Sequence, residues 1–80
     1  MTMTTRADIE ADIAELERRR VDIIKQLIAK FRTPAIDATD RAAAAQAGIS
    51  IEDARLQRIH LQTSRIDAQI RFLKAALDLL

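Results

Sequence analysis

The stretch Leu56-Gln57-Arg58-Ile59-His60-Leu61-Gln62-Thr63-Ser64-Arg65-Ile66-Asp67-Ala68-Gln69-Ile70-Arg71-Phe72-Leu73-Lys74-Ala75-Ala76-Leu77-Asp78-Leu79-Leu80 decides the fold. Within it Leu56, Ile59, Thr63, Ile66, Ile70, Leu73, Leu77 and Leu80 alternate steps of three and four residues. That spacing holds side chains on one stripe of a helix, and its strict alternation is the seam of a coiled coil. Nearer the N-terminus Ile9, Ile13, Leu16, Arg20, Ile23 and Leu27 repeat the pattern. Each stripe holds one polar intruder, Arg20 in the first and Thr63 in the second.

Two such stripes bury each other when the chain turns back on itself, and facing residue numbers then sum to a constant. Leu27 with Leu56, Ile13 with Ile70 and Arg20 with Thr63 all give 83, while Ile23 with Ile59 and Ile9 with Leu73 give 82. The two intruders therefore share a layer. It is expected to set register, with the Arg20 methylenes packed and the guanidinium stretched toward Asp67 or solvent. A functional alternative makes it a notch in which Arg20, Thr63, His60 and Asp67 hold a ligand. His60 is the sole histidine and has no second ligand of suitable type nearby, so no metal or catalytic role is expected of it. Asp8, Glu10, Asp12, Glu15 and Glu17 would lie beside Arg65, Arg71 and Lys74, which favours the antiparallel orientation.

Pro34 and Gly48, the only proline and the only glycine, bracket the middle of the chain. A first helix is expected over about 5–32, opened by Thr5 with Asp8 in a capping box and closed ahead of Pro34. A short Ala-rich helix is expected over about 37–47, capped by Asp37 or Thr39 and ended by Gly48 in the left-handed conformation. The last helix, over about 50–80, opens on Ser50. The expectation is an all-α chain of one domain over 1–80: an antiparallel, coiled-coil-like hairpin with a short intervening helix.

Composition excludes several classes. Eighty residues with two Phe, no Trp, no Tyr and fifteen Ala supply few large core side chains. Thirteen basic residues against twelve acidic ones give a net charge of +1, which by itself points to no nucleic acid, membrane or acidic substrate. There is no Cys, hence no disulfide or thiolate metal site. No Gly-rich phosphate loop, His/acid metal cluster or nucleophile elbow occurs, so neither an enzyme nor a cofactor is expected. No apolar run is long enough to span a membrane, and the polar start Met1–Thr5 does not read as a signal peptide; a soluble, cytoplasmic protein is expected.

Each helix carries a second apolar stripe. Val21, Ile24, Ile28 and Phe31 occupy the loop-proximal half of the first, and Leu61, Ala68, Phe72, Ala75 and Leu79 the tail-ward side of the last. Left in water they would form an unusually large patch. A homodimer, in which one chain's loop-half stripe lies on its partner's tail-half stripe, would cover both and make a helical bundle. Folding Ile36 and the Ala42–Ala47 segment back over the first stripe is the alternative. Otherwise these side chains, or the loop end around Ile36 and Ile49, would contact another protein.

Residues 43–55 resemble the helix-turn-helix of lac-repressor-type regulators. The resemblance rests on Ala44, on the turn Ala47-Gly48-Ile49-Ser50 and on the apolar Ala54. It implies that the helix from Ser50 enters the DNA major groove, with Arg41, Arg55 and Arg58 as contacts. Taken whole, the small Ala-, Arg- and acid-rich helical chain resembles accessory proteins of phages and other mobile elements, which implies binding and inhibiting a host protein such as a transcription regulator. The leading expectation is therefore a non-enzymatic protein-binding regulator built as a homodimeric hairpin. A DNA-binding regulator or packaging component, and a scaffold or assembly chaperone, are the alternatives.

Overall fold

The computed structural model describes residues 5–80; residues 1–4, most of the polar start, lie outside the described residues. Three helices follow in order, α1 over Arg6–Phe31, α2 over Pro34–Ala47 and α3 over Ile51–Asp78. The chain is all-α. Thr5 opens α1 with a reciprocal capping box, the Asp8 amide donating to Thr5 Oγ1 at 3.2 Å and the Thr5 amide to Asp8 Oδ2 at 3.1 Å. Ser50 opens α3 by accepting the Asp53 amide at 3.1 Å.

Proline sets the first turn more tightly than the spacing of cap residues suggests. Thr33 is the extended N-cap of α2 and Pro34 its first residue, so α2 starts three residues before the expected Asp37. Proline lacks the amide that a helix's first residue leaves unpaired anyway, and its fixed φ suits that position. Having no side chain bonded to its own helix, Thr33 instead donates its hydroxyl to the Lys30 carbonyl at 2.7 Å, holding the end of α1. Gly48 ends α2 at φ 70°, the left-handed conformation that glycine adopts without a Cβ penalty.

α1 and α3 pack antiparallel along most of their length. Ile9, Ile13 and Ile70 are buried at the tail end, with Leu16, Ile66, Leu73, Ala76 and Leu77 packed around them. Across the middle, Arg20 Nε donates to Asp67 Oδ1 at 2.8 Å. Thr63, wholly buried, places its Oγ1 2.9 Å from the Ile59 carbonyl and 3.3 Å from Asp67 Oδ2, two acceptors for one proton. Asp67 thus joins the two polar residues of the seam. At the tail rim Arg6 Nη2 donates to the Leu77 carbonyl at 3.2 Å, and Lys74 lies 3.8 Å from Glu17.

The loop end departs from the two-helix seam. α2 packs on both long helices, so three elements meet there. Ile51, Ala54 and Arg55 turn toward them, which swings Leu56, about 100° further round α3, outward. Leu56 was expected opposite Leu27 in the seam; it is exposed, whereas Leu27 is buried. Leu80, at the far end of the same stripe, is exposed as well, and its partner by the sum of 83 falls at position 3, outside the described residues.

The result is a rod of 53 × 22 × 16 Å. Its radius of gyration is 17.2 Å, where a compact 80-residue chain has about 12 Å. With so few buried aliphatics, each counts heavily. Ile70→Ala is expected to lower the unfolding free energy by about 2–5 kcal/mol, read from chemical denaturation followed by far-UV circular dichroism. Ser64→Ala, on the exposed face of the same helix, should change it by less than about 0.5 kcal/mol.

Candidate interaction surfaces

Two features of the chain's surface bear on function: an arginine clasp at the loop end and an apolar row at the tail end. The clasp is built from the short helix. Asp37 and Asp40 are one helical turn apart on α2, and Arg55 and Arg58 one turn apart on α3. Arg58 Nη2 lies 2.8 Å from Asp40 Oδ1, and Arg55 Nη2 bonds Asp37 Oδ1. Arg41 Nε completes the set at 2.8 Å from Asp37 Oδ2. Asp40 is only 3% exposed, an unusual depth for a carboxylate, and two arginines hold it there. The pairing is incomplete, since Asp40 Oδ2 and Arg55 Nε stand 3.7 Å apart and neither makes a hydrogen bond.

Phe31 lies under this clasp. The Arg55 and Arg58 guanidinium carbons stand 5.1 and 5.7 Å from its ring centroid, within cation–π range, and Arg55 also donates to the Phe31 carbonyl at 3.2 Å. Phe31 is 6% exposed. This corrects the expectation that Val21, Ile24, Ile28 and Phe31 form one open stripe for a partner. Within the chain, Arg55 and Arg58 cover Phe31 and Ile24 is half-buried, while Val21 and Ile28 stay exposed. Ile36 and Ile49, the loop-end alternative for a contact surface, are half-buried.

The three arginines assigned to DNA under the helix-turn-helix alternative, Arg41, Arg55 and Arg58, are all paired with carboxylates inside the chain. The first turn of α3 presents Glu52 and Asp53, both exposed, toward the solvent that a phosphate backbone would occupy.

The row at the tail end is different in kind. Leu61, Ala68, Phe72, Ala75 and Leu79 are all exposed on α3, with Phe72 at 72% and Leu79 at 87%. Counting about 100° per residue, the row centres on the side of α3 opposite the seam, with Ala68 and Phe72 also reaching the flank beside α1. Beside them a groove of about 580 Å³ runs between α1 and α3, floored by Leu16, Ala68, Phe72 and Leu73 and edged by Glu15 and Arg65. His60 lies on a shallow face with Gln57, Ser64 and Leu61, next to the loop-ward end of the row. Among the described residues no group of His, Cys, Asp and Glu is arranged to hold a metal ion, and no helix is long and apolar enough to cross a membrane.

Comparison with protein-family models, with curated proteins and with solved structures finds no match to this chain.

The clasp has a pH signature. Hydrogen bonds from Arg41 and then Arg55 hold the Asp37 carboxyl below its ordinary value, and the Arg41 guanidinium is raised in turn by Asp37. A depressed carboxyl contributes stability above its unfolded-state pKa, near 3.9, and that contribution is lost as pH falls through the folded-state value. Thermal midpoints measured between neutral pH and pH 2 should therefore fall on acidification below about pH 4. In Asp37→Asn the neutral-pH midpoint should already be lowered and the acid fall shallower than in the parent.

Proposed function

We propose that this chain is a non-enzymatic interaction protein, a helical hairpin that self-associates and regulates another protein by binding it. The observation that carries the reading is the row of large apolar side chains left in water once the internal seam has closed, with Leu61 at 77% exposure beside Phe72 and Leu79. Monomers rarely leave contiguous apolar faces exposed, and rows of this size mark association surfaces. A second exposed pair, Val21 and Ile28 on α1, stands apart in sequence and lets target binding and self-association use separate faces.

Most acidic and basic side chains on the helices pair with each other or face open water, as an interaction module tolerates. The scaffold alternative shares the apolar row and differs in having no regulated target. The DNA-binding alternative draws less support, because its three arginines are already paired with Asp37 and Asp40. A cytoplasmic setting belongs to the same reading, since the proposed targets work there.

The immobilised chain, offered extract from its own host cells, is expected to retain one protein in stoichiometric amount. The double variant Val21→Glu, Ile28→Glu should release that protein while keeping its helical circular dichroism. Retention of nucleic acid instead, falling steeply as salt is raised, would move the assignment to the DNA-binding alternative.

A further inference from the structure

The exposed row on α3 has an internal symmetry. Adding Arg65, which edges the groove, gives Leu61, Arg65, Ala68, Phe72, Ala75 and Leu79, with steps of four, three, four, three and four residues. That series reads the same in both directions. Leu61 and Leu79, Arg65 and Ala75, and Ala68 and Phe72 each sum to 140. A two-fold interface is built from one patch meeting itself, so it needs a surface that is complementary to its own reverse. We propose that α3 pairs antiparallel with α3 of a second copy about a two-fold axis level with residue 70. The proposal rests on the self-association part of the function proposed above and names its surface, partner and register.

Shape, charge and area argue for this occupant. The register sets Ala68 against the other copy's Phe72 on both sides of the axis, large against small, and Leu61 against Leu79 at both ends, as a close-packed helix pair requires. Ala75 faces Arg65, which leaves room for the arginine stem to cross toward Asp78 of the other copy. Neither Arg65 nor Asp78 has an opposite charge within 4 Å among the described residues. Asp78 also sits in the last turn of α3, which has no basic residue of its own; Arg6 of α1 reaches the Leu77 carbonyl there but makes no ion pair with Asp78. The two Arg71 side chains come near the axis only at the rim, where water and salt screen their repulsion.

The surface to be covered is present. The chain exposes 6192 Å², whereas a globular monomer of 9.0 kDa exposes roughly 4,900 Å². Part of that excess belongs to the rod shape, and the exposed row on α3, with Leu61 at 77%, Phe72 at 72% and Leu79 at 87%, contributes apolar area to it. The loop-half stripe of a second copy is the rival occupant, but that stripe has already lost Phe31 to the clasp.

Because the chain contains no cysteine, single cysteines can report the register. At about 1.5 Å per residue, Gln69 lies about 3 Å along the axis from its counterpart and Gln62 about 24 Å from its own. With sedimentation showing a dimer, a short bis-maleimide should join Gln69→Cys chains to each other and leave Gln62→Cys chains single. Ala68→Arg, an exposed position, should weaken the dimer at least tenfold with helicity unchanged. A dimer in which both cysteines join, or neither does, or one that survives Ala68→Arg, overturns this pairing and leaves self-association through another face. A monomer at every concentration overturns the pairing and self-association together, while the protein-capture experiment above still judges target binding.

Discussion

The contact between Arg20 and Asp67, with Thr63 buried beside it, is the constraint on which the rest of the structure depends. Aliphatic seams of this kind are tolerant of sliding, because a shift of one heptad sets Ile or Leu against Ile or Leu again. A charged side chain has no such freedom. Moving α3 by seven residues would carry Asp67 about 10 Å from Arg20 and leave a part-buried guanidinium without its carboxylate. The pair is partly open to solvent, so its weight lies in selecting one register more than in stabilising it. Once the register is set, the length left between the helices, and with it the position of α2, follows.

Much of the hairpin was legible from spacing alone. The alternating steps of Ile9 to Leu27 and of Leu56 to Leu80 specify two helices and their facing stripes, and the shared sum of Arg20 with Thr63 places the polar layer. Thr5 and Ser50 start the helices that they were expected to cap. These features are readable because each depends on neighbours three or four residues away, or on a repeat long enough to average out exceptions.

The loop end was less legible because three helices compete there. Phe31 and Leu56 both sit at regular stripe positions, yet one is buried and the other exposed. Periodicity assigns a residue to a face without saying what that face meets. Here α2 arrives over Phe31 and brings the carboxylates of Asp37 and Asp40, which draw Arg55 and Arg58 across the ring. A signal for this was present in two acids one turn apart on one helix and two arginines one turn apart on the next. By sequence Asp37 reads as a helix cap and the arginines as a DNA contact, whereas the fold joins them in a clasp.

The clasp also explains why the two apolar stripes end up unequal. A short helix that docks on one end of a rod covers surface only within its own reach, and at about 1.5 Å per residue α2 extends about 21 Å along a body 53 Å long. At the loop end Phe31 is buried and Ile24 half-buried, while Ile28, Val21 and the row from Leu61 to Leu79 stay exposed. Most of the tail-half row lies on the side of α3 opposite α1, beyond the length of a helix held at the far end of the rod by the short turn at Thr33 and Pro34. Its cover has to come from outside the chain, and a second copy turned about a two-fold sets the large side chains of the row against its small ones, Phe72 against Ala68.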